Sequence, residues 1–272
     1  MKTEFSPQVP GARGLRHPRR RFASVRTIVA MMLREMVTTY GRSPGGYLWA
    51  VLEPVAAIGL LSVAFSLAFA QPSLGTSFPL FYATAYLPYM LFHDVANKVS
   101  ASLSFSKPLM AYPAVTYVDA LLARFLLNVM THVMVFAIVM SAIVGTLGSP
   151  VIVNLPGMLN ALAMAAALGL GIGTLNCYLM LAFPAWERLW MILTRPLFIL
   201  SGVFFLYEDI PPEFQGILWF NPLYHVTGAM RDAFYATYDA AYVSPVFVYG
   251  IAAVTLAFGL MALRNSHSEL LL

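Results

Sequence analysis

Residues 125–186 read FLLNVMTHVMVFAIVMSAIVGTLGSPVIVNLPGMLNALAMAAALGLGIGTLNCYLMLAFPAW, 62 positions without one Asp, Glu, Lys or Arg. A helix needs about 20 predominantly apolar residues to cross the hydrocarbon of a bilayer. The run therefore has room for two crossings, with Gly145, Gly148 and Pro150 marking the turn between them. Residues 54–93 form a second charge-free run of 40, again long enough for two. Over the whole chain of 272 residues 60% are apolar and only 10% charged, against about 25% charged in a soluble domain. So few charges cannot cover a water-facing surface, which excludes a soluble enzyme, a nucleic-acid binder and a disordered scaffold.

Hydropathy with Pro, Gly and charge as boundaries places six spans at 48–70, 78–96, 120–145, 155–181, 187–207 and 244–263. A further apolar stretch, 210–228, is cut by Pro211, Pro212 and Asn221-Pro222 and is read as a re-entrant segment between the fifth and sixth helices. Irregular backbone at that depth is tolerable only where it is buried in protein or lines a wet cavity. Ala68-Phe69-Ala70 resembles a signal-peptidase site, but the apolar run before it is too long and begins too late for a secretory signal, so an uncleaved anchor is expected.

Basic residues orient the spans. Nine lie in the first 47 positions, and Lys98, Lys107, Arg124, Arg188, Arg195 and Arg264 bring the total on one side to fifteen of sixteen, leaving only Arg231 opposite. Both termini are expected to be cytoplasmic. The outer segment from Tyr207 to Ser244 carries five of the twelve acids, Glu208, Asp209, Glu213, Asp232 and Asp239. The expected organisation is a disordered basic tail over 1–23, an amphipathic interface helix over 24–42, a transmembrane domain over 43–264 and a short cytoplasmic tail over 265–272. In the interface helix Val25, Ile28, Val29, Met32, Leu33, Met36 and Tyr40 recur at three and four positions.

The only cysteine, Cys177, sits inside an apolar run and reads as a packing residue. The histidines, His17, His93, His132, His225 and His267, show no metal-ligand spacing, and no metal site or cofactor is expected in this chain. Lysine occurs only at 2, 98 and 107, never after Gly, so a G-x-x-x-x-G-K-[ST] phosphate loop is impossible.

Tyr82, Tyr86, Tyr89 and His93 follow at spacings of four, three and four, one stripe along the second span. Tyr offers both a flat apolar face and a hydroxyl, which suits the wall of a path through the membrane as well as an interfacial belt. Phe198, Phe204, Tyr207, Trp219 and Tyr224 could extend such a path outward. Charges inside spans are expensive and ask for partners. A contact between Glu53 and Arg195 is expected at the cytoplasmic mouth, with Arg124 snorkelling or paired near the inner surface. Small-residue stripes, Ala56, Gly59, Ser62 and Ser66 on the first span and Gly169-x-x-x-Gly173 on the fourth, suit close helix contact within the subunit or between subunits.

Arg34-Glu35, Tyr40-Gly41-Arg42-Ser43, Gly46-Tyr47-Leu48-Trp49 and Glu53-Pro54 together resemble the approach to the first span in ABC-2 type permeases of polysaccharide exporters. Arg195-Pro196-Leu197-Phe198, Ser201-Gly202-Val203-Phe204-Phe205, Pro211-Pro212, Asn221-Pro222-Leu223-Tyr224-His225 and Arg231 resemble that family's fifth span and outer segment. Within the family the likeness is to KpsM-type capsular polysaccharide permeases, with Wzm-type O-antigen permeases as relatives; Pro44-Gly45 departs from the usual pattern. The resemblance covers about residues 24–264. It implies an all-α integral membrane protein of the ABC-2 (type V exporter) fold, a homodimer working with two copies of a separate ABC ATPase subunit that binds ATP and Mg²⁺. The substrate it implies is a lipid-linked capsular polysaccharide exported across the bacterial inner membrane, with a periplasmic polysaccharide co-polymerase or export protein as a further candidate partner. Alternatives are an O-antigen or other lipid-linked glycan exporter, a small-molecule ABC-2 pump or a non-ABC carrier. The family places a short coupling helix in the connection after the second span, which makes Phe105, Lys107, Leu109 and Met110, together with Arg34 and Glu35, the expected ATPase-coupling residues. Glu53, Arg195 and Arg42 fall at the expected cytoplasmic mouth.

Overall fold

The computed structural model describes residues 23–40, 45–110, 115–147 and 151–270. The basic tail at 1–22, Arg42 and Tyr112-Pro113 lie outside them. Every regular element among the described residues is helical: α1 (Ala23–Tyr40), α2 (Gly46–Ala68), α3 (Phe78–Ser100), α4 (Ser102–Met110), α5 (Tyr117–Thr146), α6 (Leu155–Ala182), α7 (Pro184–Ile199), α8 (Pro212–Trp219), α9 (Pro222–Phe234) and α10 (Pro245–Leu270). Local chemistry sets their starts. Thr116 and Asp119 form a reciprocal capping box at α5, Asn154 caps α6 through the Gly157 N–H, and Ser77 caps α3. Four of the helices, Leu48–Ala68, Tyr117–Thr146, Leu155–Ala182 and Pro245–Asn265, are long and apolar enough to cross a membrane.

α6 is the axis of the bundle, packed against α3 on one side and α10 on the other, with α9 against its N-terminal part. Its glycines are the means. A Cβ on Gly173 would sit 2.8 Å from the Ala96 carbonyl of α3, one on Gly169 3.0 Å from the Phe92 carbonyl, and one on Gly171 would strike the Ala252 carbonyl of α10. The Gly169/Gly173 pair therefore packs inside the chain. Of the small-residue stripe on α2, by contrast, only Ser62 is buried, while Ala56, Gly59 and Ser66 are exposed.

Two expected boundaries move. The last helix runs on past Leu263 to Leu270, since nothing between Arg264 and Leu270 is a helix breaker. The fifth span, expected to run to Tyr207, is helical only to Ile199. At 1.5 Å per residue its 16 residues reach about 24 Å. Beyond Ile199 the chain turns at Gly202, whose φ of 76° is left-handed and whose Cβ position lies 2.9 Å from Thr227 Oγ1.

Ending a helix here frees backbone carbonyls in a largely buried place, and α9 answers them one by one. Asn221 caps α9 with its Oδ1, which accepts from the Leu223 N–H, while its Nδ2 donates to the Leu200 carbonyl. Thr227 Oγ1 lies 3.0 Å from the Ser201 carbonyl, sharing its one proton with the Leu223 carbonyl of its own helix. Arg231, 2% exposed, donates through both terminal nitrogens to the carbonyls of Val203 and Phe205, each at 3.2 Å. Its guanidinium also lies over the Phe81 ring of α3, 4.2 Å from the centroid. Burial pushes the phenols of neighbouring Tyr235 and Tyr242 upward, so neither supplies a counter-anion. Carbonyl dipoles and a ring face hold the charge instead.

Replacing Arg231 with Met orphans two carbonyls, a cost of about 2–4 kcal/mol. Thermal unfolding of the detergent-solubilised chain should show a clear fall in Tm, with Arg231→Lys intermediate because one ammonium cannot span both carbonyls. A wild-type Tm in Arg231→Met is the outcome that contradicts this.

Candidate functional site

The stripe on α3 becomes a file of aromatic rings once α2 and α7 pack beside it. Phe65 of α2 touches Tyr82 at 5.3 Å between centroids and Phe204 at 5.8 Å. Phe204 meets Phe198 edge-on at 5.3 Å. Phe198 lies 6.0 Å from Tyr86 and 5.1 Å from Tyr89, and Tyr89 stacks on His93 at 5.8 Å. The eleven-residue advance from Tyr82 to His93 carries the file about 16 Å along the helix axis. Its members are unequal. Tyr82 is 2% exposed and packs also on Phe81, a core residue, whereas Tyr86, His93, Phe198 and Phe204 keep an open face.

At its His93 end the file borders a cavity of about 650 Å³ between α3, α6 and α7. Tyr89, His93, Asn97, Trp190, Thr194, Arg195, Glu187 and Phe198 contribute to its walls. Asn97 extends the stripe by one more turn, and Trp190 Nε1 donates to its Oδ1 at 3.0 Å. Neither residue is among those singled out from the sequence, although Asn97 continues the stripe at the same spacing of four.

Glu53 does not meet Arg195. It lines a separate cavity of about 300 Å³ with Trp49, Asp94, Lys98, Asn128, Thr131 and His132. The reason is helix placement: α2 leans on α3 and α5, while α7 packs against α6. The close contacts of charged side chains among the described residues are different ones. His132 Nε2 of α5 lies 3.0 Å from Asp94 Oδ2, the acid beside the stripe. Arg124 pairs with Glu35, Nε to Oε1 at 3.2 Å, with both side chains under a tenth exposed.

The Arg124 pair anchors a cluster where α1, α4 and α5 meet. The Arg124 guanidinium lies over the Phe105 ring at 4.1 Å, Arg34 flanks the same ring at 5.5 Å, and Arg124 Nη1 donates to the Lys98 carbonyl at 2.9 Å. Glu35, Arg34 and Phe105, expected as coupling residues, are thus brought together around a residue expected only to snorkel or pair near the inner surface. Leu109 and Met110 are partly buried against Met31, Ala120 and Ala123 in a small apolar cluster of their own, while Lys107 is exposed. The amphipathic stripe of α1 splits accordingly. Ile28, Met31, Met32 and Glu35 turn inward, and Val25, Val29 and Leu33 are exposed.

Trp219, Tyr224 and Tyr207 belong to an outer cluster rather than to the file. Tyr207 stacks on Tyr242 at 4.2 Å and meets Tyr224 at 6.1 Å; Trp219 packs on Phe247 and His225. The Ser244 N–H donates to His225 Nδ1 at 3.1 Å, so the ring proton sits on Nε2 and is donated to the Trp219 carbonyl at 2.7 Å. These contacts fasten α8, α9 and the start of α10 together. Among the described residues no group of three or more His, Cys, Asp or Glu could hold a metal ion.

Four helices long and apolar enough to cross a membrane, beside an aromatic-walled cavity between α3 and α7, mark an integral membrane protein. Residues 26–235 match the family described as ABC-2 type transporter, and the chain belongs to it. It is 30% identical to the polysialic acid transport protein KpsM of Escherichia coli, over 90% of this chain and 95% of that one. The capsule polysaccharide export inner-membrane proteins CtrC of Neisseria meningitidis serogroup B and BexB of Haemophilus influenzae are each 25% identical, over 86% and 88% of this chain and 89% and 91% of theirs.

Cutting one side of the Arg124–Glu35 pair leaves a buried uncompensated charge, which costs about 3–5 kcal/mol, whereas replacing both with apolar groups is often neutral. Arg124→Met and Glu35→Met should each lower Tm markedly, and the double variant should recover most of the loss. Additive losses in the double variant would show that the two side chains do not depend on each other.

Proposed function

We propose that this chain is the membrane-spanning permease subunit of an ATP-driven transporter that exports lipid-linked capsular polysaccharide across the bacterial inner membrane. It works as a homodimer with two copies of a separate ABC ATPase subunit, which binds ATP and Mg²⁺; the chain itself catalyses no reaction. The observation that carries the reading is the file of rings from Phe65 to His93, ending at a polar cavity, in a chain similar over nearly its whole length to inner-membrane proteins of capsule export. Sugar rings present apolar C–H faces that aromatic walls accept without binding tightly to any one of them.

In this reading residues 43–264 make six crossings, with α3 and α7 joining the four long apolar helices. α3 has 23 residues, length for about 34 Å, and gathers its polar side chains at one end. Residues 210–228 form the re-entrant segment, supported by the side-chain bonds from α9 to the backbone at 200–205. The basic side is cytoplasmic, and residues 24–42 lie along the inner surface. Tyr86, Tyr89, His93, Phe198 and Phe204 contact passing glycan, with Arg195 the cation at the inner mouth and Glu53 in the neighbouring polar cavity. Arg34, Glu35, Phe105 and Lys107 receive the motion of the ATPase, and Leu109 and Met110 keep the receiving helix seated.

The test is copurification with an ATPase subunit whose turnover responds to lipid-linked glycan. Tyr86→Leu with Tyr89→Leu should leave that assembly intact and reduce export about tenfold, since each aromatic face removed from the wall is worth about 0.5–1.5 kcal/mol. Export at the wild-type rate would remove the file from the path. Charge reversal at Arg34 should preserve ATP turnover while export falls, read as export per ATP consumed; an unchanged ratio would take Arg34 out of the coupling surface.

A further inference from the structure

His93 carries a buried polar atom that nothing in the fold satisfies. Its Nε2 lies 2.9 Å from Asn97 Nδ2, and its Nδ1 is buried with no hydrogen-bond partner. The proton positions follow from chemistry. An indole N–H only donates, so the Asn97 atom 3.0 Å from Trp190 Nε1 is the amide oxygen. The other arm of that amide, facing His93, is then the NH₂, which also only donates. Nε2 must therefore be bare. An imidazolium would set N–H against N–H across 2.9 Å, so the ring is neutral and its one proton sits on Nδ1. Stacking on Tyr89, with 17° between the planes, holds the plane of the ring, and the Asn97 N–H, which a turned ring would meet with a C–H, selects the edge.

A buried donor without an acceptor is costly, and such groups ask for an explanation. His93, Asn97 and Trp190 all border the 650 Å³ cavity at the inner end of the aromatic file. We propose that Asn97 and Trp190 are positioning residues that hold His93 as the neutral Nδ1–H tautomer, a donor reserved for an acceptor oxygen of a sugar residue lodged against the aromatic wall. The inference rests on the glycan-export reading and adds to it the point where a ring or hydroxyl oxygen is recognised rather than merely slid past. Opening of the cavity as glycan enters gives that oxygen access to the N–H, and the bond removes the cost of the empty state. Trp190 acts only through Asn97: its N–H chooses which end of the amide faces the imidazole.

The test has two arms, both on the full chain in lipid nanodiscs with its ATPase subunit. In the first, ¹⁵N-histidine labelling reads the tautomer, with His93→Gln identifying the His93 signals by difference. Wild type should show a protonated Nδ1 and a bare Nε2, and Asn97→Asp, which has no N–H to offer, should lose the bare Nε2 signal. A protonated Nε2 in the wild type overturns the proposal. The second arm titrates ATP turnover with oligosaccharides released from the producing cell's own surface polysaccharide. His93→Asn keeps an amide N–H near the Nδ1 position and should stay within about threefold of wild type, whereas His93→Gln, with the same amide reaching to the Nε2 position, should need about tenfold more glycan. Equal half-saturation for the two variants, with wild type responding, overturns this inference alone. No response from wild type overturns the export reading together with the ligand, while the first arm still decides the tautomer.

Discussion

The constraint on which the packing of α7, α9 and the segment between α7 and α8 depends is that a backbone carbonyl buried away from water must be given a donor. The helix carrying Phe198 stops at Ile199, and the carbonyls of Leu200, Ser201, Val203 and Phe205 are answered by Asn221, Thr227 and Arg231. One side chain, Asn221, serves two elements at once, capping α9 with its oxygen and holding the end of α7 with its nitrogen. Because the segment is pinned, Phe204 stands beside Phe198 and Phe65, and the file of rings is continuous. Gly202 is needed at the turn because its backbone is left-handed and Thr227 leaves no room for a Cβ. The buried arginine is a structural device here: its donor fork matches two carbonyls, which a lysine's single point of charge could not do.

The end of the bundle where α1, α4 and α5 meet has its own organising charge. Arg124 touches Glu35 of α1, Phe105 of α4 and the Lys98 carbonyl at the end of α3. Lys98 is the neighbour of Asn97, which holds His93 and Trp190. A continuous set of contacts therefore runs from the surface helices that would meet a motor to the cavity that would hold the cargo. Contact alone is not coupling, but it shows how short the physical route is, a few side chains along the last turns of α3.

Class, the long apolar helices and the aromatic stripe were legible in the linear chain because each depends on local spacing. Apolar runs of 62 and 40 residues leave few alternatives to membrane helices, and Tyr82, Tyr86, Tyr89 and His93 share a face by helical period alone. The lone Arg231 was legible as an oddity, but its carbonyl partners were not, since they lie 26 and 28 positions away. The expected pairing of Glu53 with Arg195 fails for the same reason: each charge needs an explanation, yet which helices adjoin is not written in either motif. Trp219 and Tyr224, read as wall residues in sequence, pack with His225, Phe247 and Tyr207 away from the file of rings, a placement that helical spacing does not reveal.

What the sequence determined by itself is therefore whatever follows from periodicity and transfer energy: a helical membrane protein, its long apolar segments and one aromatic face. What only the tertiary structure decided is pairing. Arg124 with Glu35, His132 with Asp94 and the chain Trp190 to Asn97 to His93 each join residues from separate elements or distant turns. Charges and hydrogen-bond donors interact over a few ångströms in a place where water cannot substitute, so their partners are settled by which helices pack together, and that in turn by where glycines such as Gly171 and Gly173 let backbones touch.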